Sequence, residues 1–206
     1  MANQEIEVWG IGTPRTLRVH WALHELGVEY RTHRVQTRTK MMDEPAFLAV
    51  SPGKKIPAIR HGDLLLTESG AITRYLMDSF SPHKWTVPER ALIDRFAYFS
   101  LMEIDATAFY VIRRHEGLPA IYGEAPTAVS AAYEYADRQL TVLSQLMGDH
   151  AYCVAERFSE ADIHVVSVLA WAQMLNVKLP NNLLAYAENM KKRPGFKQAM
   201  VENTPD

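Results

Sequence analysis

The chain has 206 residues, with 22 Lys and Arg against 24 Asp and Glu, a formal net charge of −2. Hydrophobic residues make up 48% and charged residues 22%, which excludes wholesale disorder, and the near-neutral balance lacks the electrostatic footprint of a nucleic-acid binder. The single cysteine, Cys153, excludes an intrachain disulfide and a multi-cysteine metal site, and it fits a reducing, cytoplasmic compartment.

The opening Met-Ala-Asn-Gln-Glu-Ile-Glu has no basic segment followed by an apolar one, so no targeting leader is expected there. Glu5–Trp9 alternates apolar and polar residues, as a strand does. Residues 15–27 place Val19, Ala22, Leu23 and Leu26 at helical spacing, and Gly27 ends the pattern. Thr13-Pro14 is a favourable opening for that helix, with Thr as N-cap and Pro in the first turn. Glu29–Val35 reads as a second strand and Asp43–Ala49 as a short helix. Ile56–Arg60 and Leu64–Leu66, on either side of His61-Gly62-Asp63, read as a hairpin. Glu68–Asp78 carries Ile72, Tyr75 and Leu76 on one side of a further helix, which Thr67 is suited to cap. The order β-α-β-α-β-β-α implies an α/β domain over residues 1–81.

Ser81-Pro82-His83 and Val87-Pro88 interrupt any regular pattern, so 82–88 reads as a linker. Residues 89–206 read as all-α, with helices over 89–116, 127–147, 159–175, 181–192 and a short one after Pro194. The most apolar stretch, Ile163 to Leu175, is interrupted by His164, Ser167 and Gln173, so no membrane span is expected. Ser159 at N-cap with Asp162 three residues on is a capping box with Asp in place of Glu, and Phe158 and Ile163 are placed to form a hydrophobic staple. This is a folding signal and carries no chemistry.

Five ordered segments resemble the cytosolic glutathione transferases. Arg18-Val-His-Trp-Ala-Leu-His-Glu-Leu-Gly27 is similar to the first helix of that family. Ser51-Pro-Gly-Lys-Lys-Ile-Pro57-Ala-Ile59 looks like its Asn-Pro-x-Gly-x-Val-Pro-x-Leu segment, with Lys54 where Gly is preferred. Leu66-Thr-Glu68-Ser69-Gly-Ala-Ile-Thr-Arg-Tyr-Leu76 looks like its Glu-Ser-x-Ala-Ile-x-x-Tyr-Leu segment. Arg157-Phe-Ser-Glu-Ala-Asp-Ile163 resembles the capped helix of the helical domain, and Arg193-Pro-Gly-Phe196 the closing Arg-Pro-x-Phe.

The resemblance implies a thioredoxin-like glutathione-binding domain followed by an all-helical domain that contributes the electrophile site. It implies a homodimer that uses glutathione as co-substrate, without metal, nucleic acid or membrane, and conjugates it to a small hydrophobic electrophile. Pro57 is expected to be cis, turning the Ile56 backbone toward the cysteinyl part of glutathione. Glu68 and Ser69, at a helix start, suit the ammonium and carboxylate of the γ-glutamyl group. Lys55 and Lys40 are placed to reach a carboxylate of the tripeptide, although Met42-Asp43 stand where some members have His-Lys. Thr13, five residues before Arg18, matches the position of the catalytic hydroxyl. Thr13-Pro14 also resembles the Thr-Pro-Asn opening of bacterial members active on disulfides, with Arg15 in place of Asn adding a cation that favours a thiolate. Tyr110 and Arg114 are candidates for the electrophile site, and Asp105 for a contact with the partner subunit's glutathione.

Plainer readings stand beside these. Thr16 is a weaker hydroxyl candidate. Trp9 and Tyr30 suit the core. Arg113-Arg114-His115 suits a helix C-terminus. His20 and His24, at i and i+4, suit an exposed helix face better than a metal pair. Cys153 suits a buried spectator, and with no cysteine near Thr13, chemistry on a protein thiol is not expected. Three functions fit: a glutathione transferase; a glutathione-dependent disulfide or peroxide reductase of the same fold; and a binding or regulatory protein without turnover.

Overall fold

A computed structural model describes residues 5–205, so the reading of the opening residues falls largely outside them. The chain forms two compact units: residues through Lys84 together with those from Lys191 onward, and Trp85–Met190. Sequence order alone divides the chain at 82–88; in space the last helix returns to the first unit.

That unit is built on a four-stranded sheet in the order β2-β1-β3-β4. β1 (Ile6–Trp9) is parallel to β2 (Tyr30–His33) and antiparallel to β3 (Ala58–His61), which is antiparallel to β4 (Leu64–Thr67). All four β1 residues are buried, as a central strand requires. Period two divides them between the faces. Val8 pairs with Ile59 on one side, whereas Trp9 lies in a core with Val35, Phe47, Val50, Ile56 and Ala58. Glu7 shares the Trp9 face and is 5% exposed. Hydrogen bonds from Arg60, His33 and Arg31 overcome the burial penalty and hold its carboxyl at about 2.

The helices are α1 (Pro14–Leu26), α2 (Pro45–Val50) and α3 (Ser69–Phe80), with a 3₁₀ turn at Lys40–Asp43 ahead of α2. Residues Thr16 through Leu23 of α1 are all buried. The helix is covered on nearly every side, by α3 and by α10 (Pro194–Glu202). The expected exposed face for His20 and His24 is therefore absent: His20 is 0% exposed and His24 is half-buried. The Arg193-Pro-Gly-Phe196 motif explains the return of α10. Arg193 donates two hydrogen bonds to Glu25, at 2.8 and 2.7 Å, and Phe196 meets Trp21 edge to face at 5.0 Å.

In the second unit a continuous helical run replaces the single helix expected over 89–116. It passes from α4 (Val87–Tyr98) through a π-helical stretch (Phe99–Phe109) and α5 (Tyr110–Ile112) to a second π segment (Arg113–Gly117). The wider turn shows in the Thr107 hydroxyl, which donates to the carbonyl of Met102 at 2.7 Å. A short α6 (Pro119–Tyr122) precedes α7 (Pro126–Met147), α8 (Glu160–Met174) and α9 (Asn181–Lys191). The capping box of α8 forms: Asp162 Oδ2 accepts from the Ser159 amide at 2.7 Å, and Oδ1 accepts from Tyr186 at 2.7 Å and from the Cys153 amide at 2.9 Å. Cys153 is half-buried, its sulfur 3.4 Å from the Tyr186 hydroxyl, and burial pushes its thiol up. Among the described residues, no helix is long and apolar enough to cross a membrane.

Candidate functional site

The loop from β1 to α1 presents Thr13. Thr13 is the N-cap, with Pro14 first in the helix, and it forms a reciprocal box with Thr16. The Thr16 amide donates to Thr13 Oγ1 at 3.0 Å, the Thr13 amide donates to Thr16 Oγ1 at 3.0 Å, and the two hydroxyls face each other at 3.0 Å. The Gly12 amide is engaged too, by the carbonyl of Asn203 at 2.9 Å and its side-chain oxygen at 3.1 Å. The amides of Gly12, Thr13 and Thr16 thus have partners within the chain, and the hydroxyl proton of Thr13 is a donor that can turn outward.

Gly10 carries this loop against the Ile56 segment. Its φ is +123°, and a Cβ there would lie 2.6 Å from Ile56 Cβ and 2.8 Å from Thr16 Cγ2, so only glycine permits the approach. The Ile56–Pro57 bond is cis, as the resemblance implied. Among the described residues, no hydrogen bond engages the Ile56 backbone N–H or carbonyl. The approach to Ile56 is held by Ser51, whose hydroxyl donates to the Lys55 carbonyl at 2.8 Å and accepts from the Lys55 amide at 3.1 Å. Lys54 has φ +50°, the left-handed region, which accounts physically for the family's glycine preference there.

At the start of α3, the N-cap is Glu68, not Thr67. It sits at φ +68°, ψ +112° and makes no side-chain capping bond. A non-glycine residue in this region is strained, and such strain persists only where the surrounding structure enforces it. Glu68 is exposed and Ser69 is 6% exposed. Ser69 Oγ accepts from Arg18 Nη1 at 3.2 Å, which leaves the serine proton for an incoming anion. Arg18 is fully buried. As the first residue of a recognisable helix motif it had a visible position, but nothing local in the sequence connects it to Ser69.

The remaining candidates scatter. Lys55 and Lys40 are exposed, and Arg15 is half-buried in the first turn of α1. Asp43 pairs with Lys54, so the Met42-Asp43 replacement has a structural use. Met42 accepts the Arg38 amide through its sulfur at 3.2 Å. His20 donates through Nε2 to the Gly10 carbonyl at 3.0 Å and faces the Tyr30 hydroxyl through Nδ1 at 3.0 Å. Burial lowers its pKa, so the ring is neutral and acts as a brace for the loop. Trp9 is core, stacked on His33 at 4.2 Å. Tyr30 is half-buried, and burial raises its pKa. In the helical unit the Arg114 guanidinium lies 4.5 Å from the Tyr110 ring and 5.3 Å from that of Tyr122. Asp105 is 1% exposed, and this burial gives the partner-subunit contact no support. Among the described residues, no cluster of His, Cys, Asp and Glu is arranged to hold a metal ion.

Comparison with known proteins gives one family throughout. Residues 4–78 match the model of the glutathione S-transferase N-terminal domain, and residues 100–194 match that of its C-terminal domain. Glutathione S-transferase GstA of Escherichia coli O157:H7 is 26% identical over 194 residues, spanning 90% of this chain and 92% of its own. Among solved structures, the theta class glutathione S-transferase of Xanthomonas axonopodis pv. citri, with glutathione bound, superposes with a TM-score of 0.81 at 24% identity, covering 96% of this chain and 97% of that one. A glutathione transferase family member of Pseudomonas fluorescens with two glutathiones bound gives 0.85 at 24% identity, covering 98% and 94%. The two matched domains, the thioredoxin-like sheet with its cis proline and the helical unit that follows place this chain in the cytosolic glutathione transferase superfamily.

Proposed function

We propose that the protein is a glutathione transferase that binds glutathione along its α/β unit and activates the thiol with Thr13. The observation that carries the reading is the close approach of two loops. Ile56, whose backbone N–H and carbonyl have no partner among the described residues, packs on Gly10 of the loop that presents the Thr13 hydroxyl. A peptide paired with Ile56 as an added strand would place its cysteinyl side chain toward that loop. The strained Glu68 carboxylate receives the γ-glutamyl ammonium, and Ser69 with the α3 amides receives its carboxylate. Lys55, Lys40 and Arg15 supply positive charge for the remaining carboxylate and the sulfur. The Thr13 hydroxyl donates to the thiolate, which attacks an electrophilic carbon; the C–S bond forms as the leaving group departs with the electron pair. Tyr110 and Arg114 contact the electrophile, and the protein acts as a homodimer in the cytoplasm.

A second reading, glutathione-dependent disulfide reduction, is favoured by the Thr13-Pro14 opening and by the two glutathiones in the Pseudomonas fluorescens relative. Calorimetric titration with glutathione tests the binding claim: the wild type binds, and Glu68→Ala with Ser69→Ala does not. Absence of binding to the wild type overturns both readings. Turnover of an aryl halide without turnover of a hydroxyethyl disulfide selects the transferase, and the reverse selects the reductase.

A further inference from the structure

The segment after α10 is sewn onto the loop that bears Thr13. Asn203 accepts from the Gly12 amide through its backbone carbonyl at 2.9 Å and through Oδ1 at 3.1 Å. Its Nδ2 donates to the Thr13 carbonyl at 3.2 Å, and its Oδ1 receives the Thr16 hydroxyl at 2.6 Å. The amide orientation is fixed twice over, because the Thr13 carbonyl can only accept and the Gly12 amide can only donate. Arg34, at the end of β2, holds the same segment through the carbonyls of Glu202 at 3.3 Å and Thr204 at 2.7 Å, with the Glu202 carboxylate 3.8 Å from its guanidinium. Gly12, at φ +80°, lies so close that a Cβ there would meet Pro205 Cγ at 2.9 Å.

We propose that Asn203 is a positioning residue for thiol activation, clamping the Gly12–Thr13 backbone and taking the Thr16 hydroxyl proton so that Thr13 is the hydroxyl that turns to the glutathione sulfur. This rests on the reading of Thr13 given above. Thr16 has one proton and two acceptors in reach, Asn203 Oδ1 at 2.6 Å and the Thr13 carbonyl at 2.9 Å, and the shorter contact takes it. With Asn203 Oδ1 as its acceptor, Thr16 Oγ1 turns its lone pairs to the Thr13 amide and hydroxyl. Thr13 then keeps a defined rotamer, accepting from the Thr16 amide, with its own proton exchangeable between Thr16 and an external anion. Positioning of this kind acts on the reacting atom and leaves the grip of Ile56, Glu68 and Ser69 on glutathione unchanged.

The test compares the full-length wild type with Asn203→Leu, Thr16→Val and the double variant, using glutathione and an aryl halide. Asn203→Leu is expected to lower kcat/KM about tenfold on the acid side of the pH profile, a rise of about one unit in the bound thiol pKa, with the gap closing at high pH. KM for glutathione stays within about twofold, and the double variant is no worse than the worse single, as expected for one shared network. Hydrogen exchange at the Gly12 amide, without glutathione, speeds up in Asn203→Leu. Should Asn203→Leu fail to fold, Thr16→Val reads the same contact. An unchanged pH profile with only a lowered melting temperature overturns the proposal, and so does a loss confined to glutathione KM. A wild type that shows no thiolate with glutathione overturns the functional reading first, and this one with it.

Discussion

Thr13 and Glu68 both occupy the N-cap of a helix in the α/β unit, and the two helix starts are finished in opposite ways. At α1 a reciprocal pair of threonines, together with Asn203, engages the amides of Gly12, Thr13 and Thr16. At α3 the N-cap makes no side-chain capping bond, its backbone is strained at φ +68°, and its carboxylate stands exposed. The α8 start in the helical unit resembles the first kind, closed by Ser159 and a buried Asp162 with four hydrogen bonds. A closed start stabilises the fold; an open one keeps its donors for a ligand. The comparison divides the chemistry. On the function proposed above, the charged end of glutathione belongs at α3, whereas at α1 the sulfur would meet a hydroxyl, because the amides of Gly12, Thr13 and Thr16 are already engaged.

The largest effect that bears on this contrast is at the open start. Replacing both Glu68 and Ser69 by Ala removes two hydrogen-bonded contacts to charged groups, about 3–4 kcal/mol, so glutathione affinity falls several hundredfold in calorimetry, while urea stability falls by only about 1 kcal/mol, because the buried Arg18 loses its Ser69 acceptor. The closed start of α8 behaves in reverse. Asp162→Ala strands the Tyr186 hydroxyl and two amides and costs about 3 kcal/mol of stability in urea denaturation, with glutathione affinity unchanged. Glu7 gives a pH signature independent of either start. Its folded carboxyl lies at about 2, below the ordinary value of 4.5. Its stabilisation is therefore complete above pH 4.5 and lost as the pH falls toward 2. Glu7→Gln costs about 2 kcal/mol at neutral pH, and the gap from wild type narrows across that acid window. The smallest effect is the most diagnostic. Glu68→Gly relieves the strained φ while deleting the carboxylate, so stability rises by about 1 kcal/mol as glutathione affinity falls. A loss of stability there would show that Glu68 is an ordinary cap.

Much of this was legible in the sequence wherever the signal is local. The Thr13-Pro14 start, the hairpin around Gly62, the Ile56-Pro57 and Glu68-Ser69 segments and the Ser159–Asp162 cap are all short-range patterns, and the elements around them form within a few residues of expectation. What escaped depends on contacts distant in sequence or on the choice between similar backbones. His20 reads as exposed from helical spacing, but α1 is covered by both α3 and α10, and its residues Thr16 through Leu23 are all buried. The π-helical run from Phe99 to Phe109 differs from an α-helix by one residue of hydrogen-bond register, which apolar periodicity does not encode. Asn203 lies 190 residues from Thr13, and no local motif marks an asparagine that will close a loop so far away. Thr67 looks like the better cap for α3 on propensity alone; the structure places Glu68 there in a strained conformation, a local conflict that binding sites tolerate.

The central claim, that a hydroxyl and not the α1 amides activates the thiol, is tested most directly by titrating the ultraviolet absorbance of the thiolate of bound glutathione in the wild type and in Thr13→Val. The account predicts a bound thiol pKa well below the free value of about 8.5–9 in the wild type and a rise of at least one unit in Thr13→Val. Superimposable titration curves for the two proteins, with glutathione bound equally in both, would contradict it.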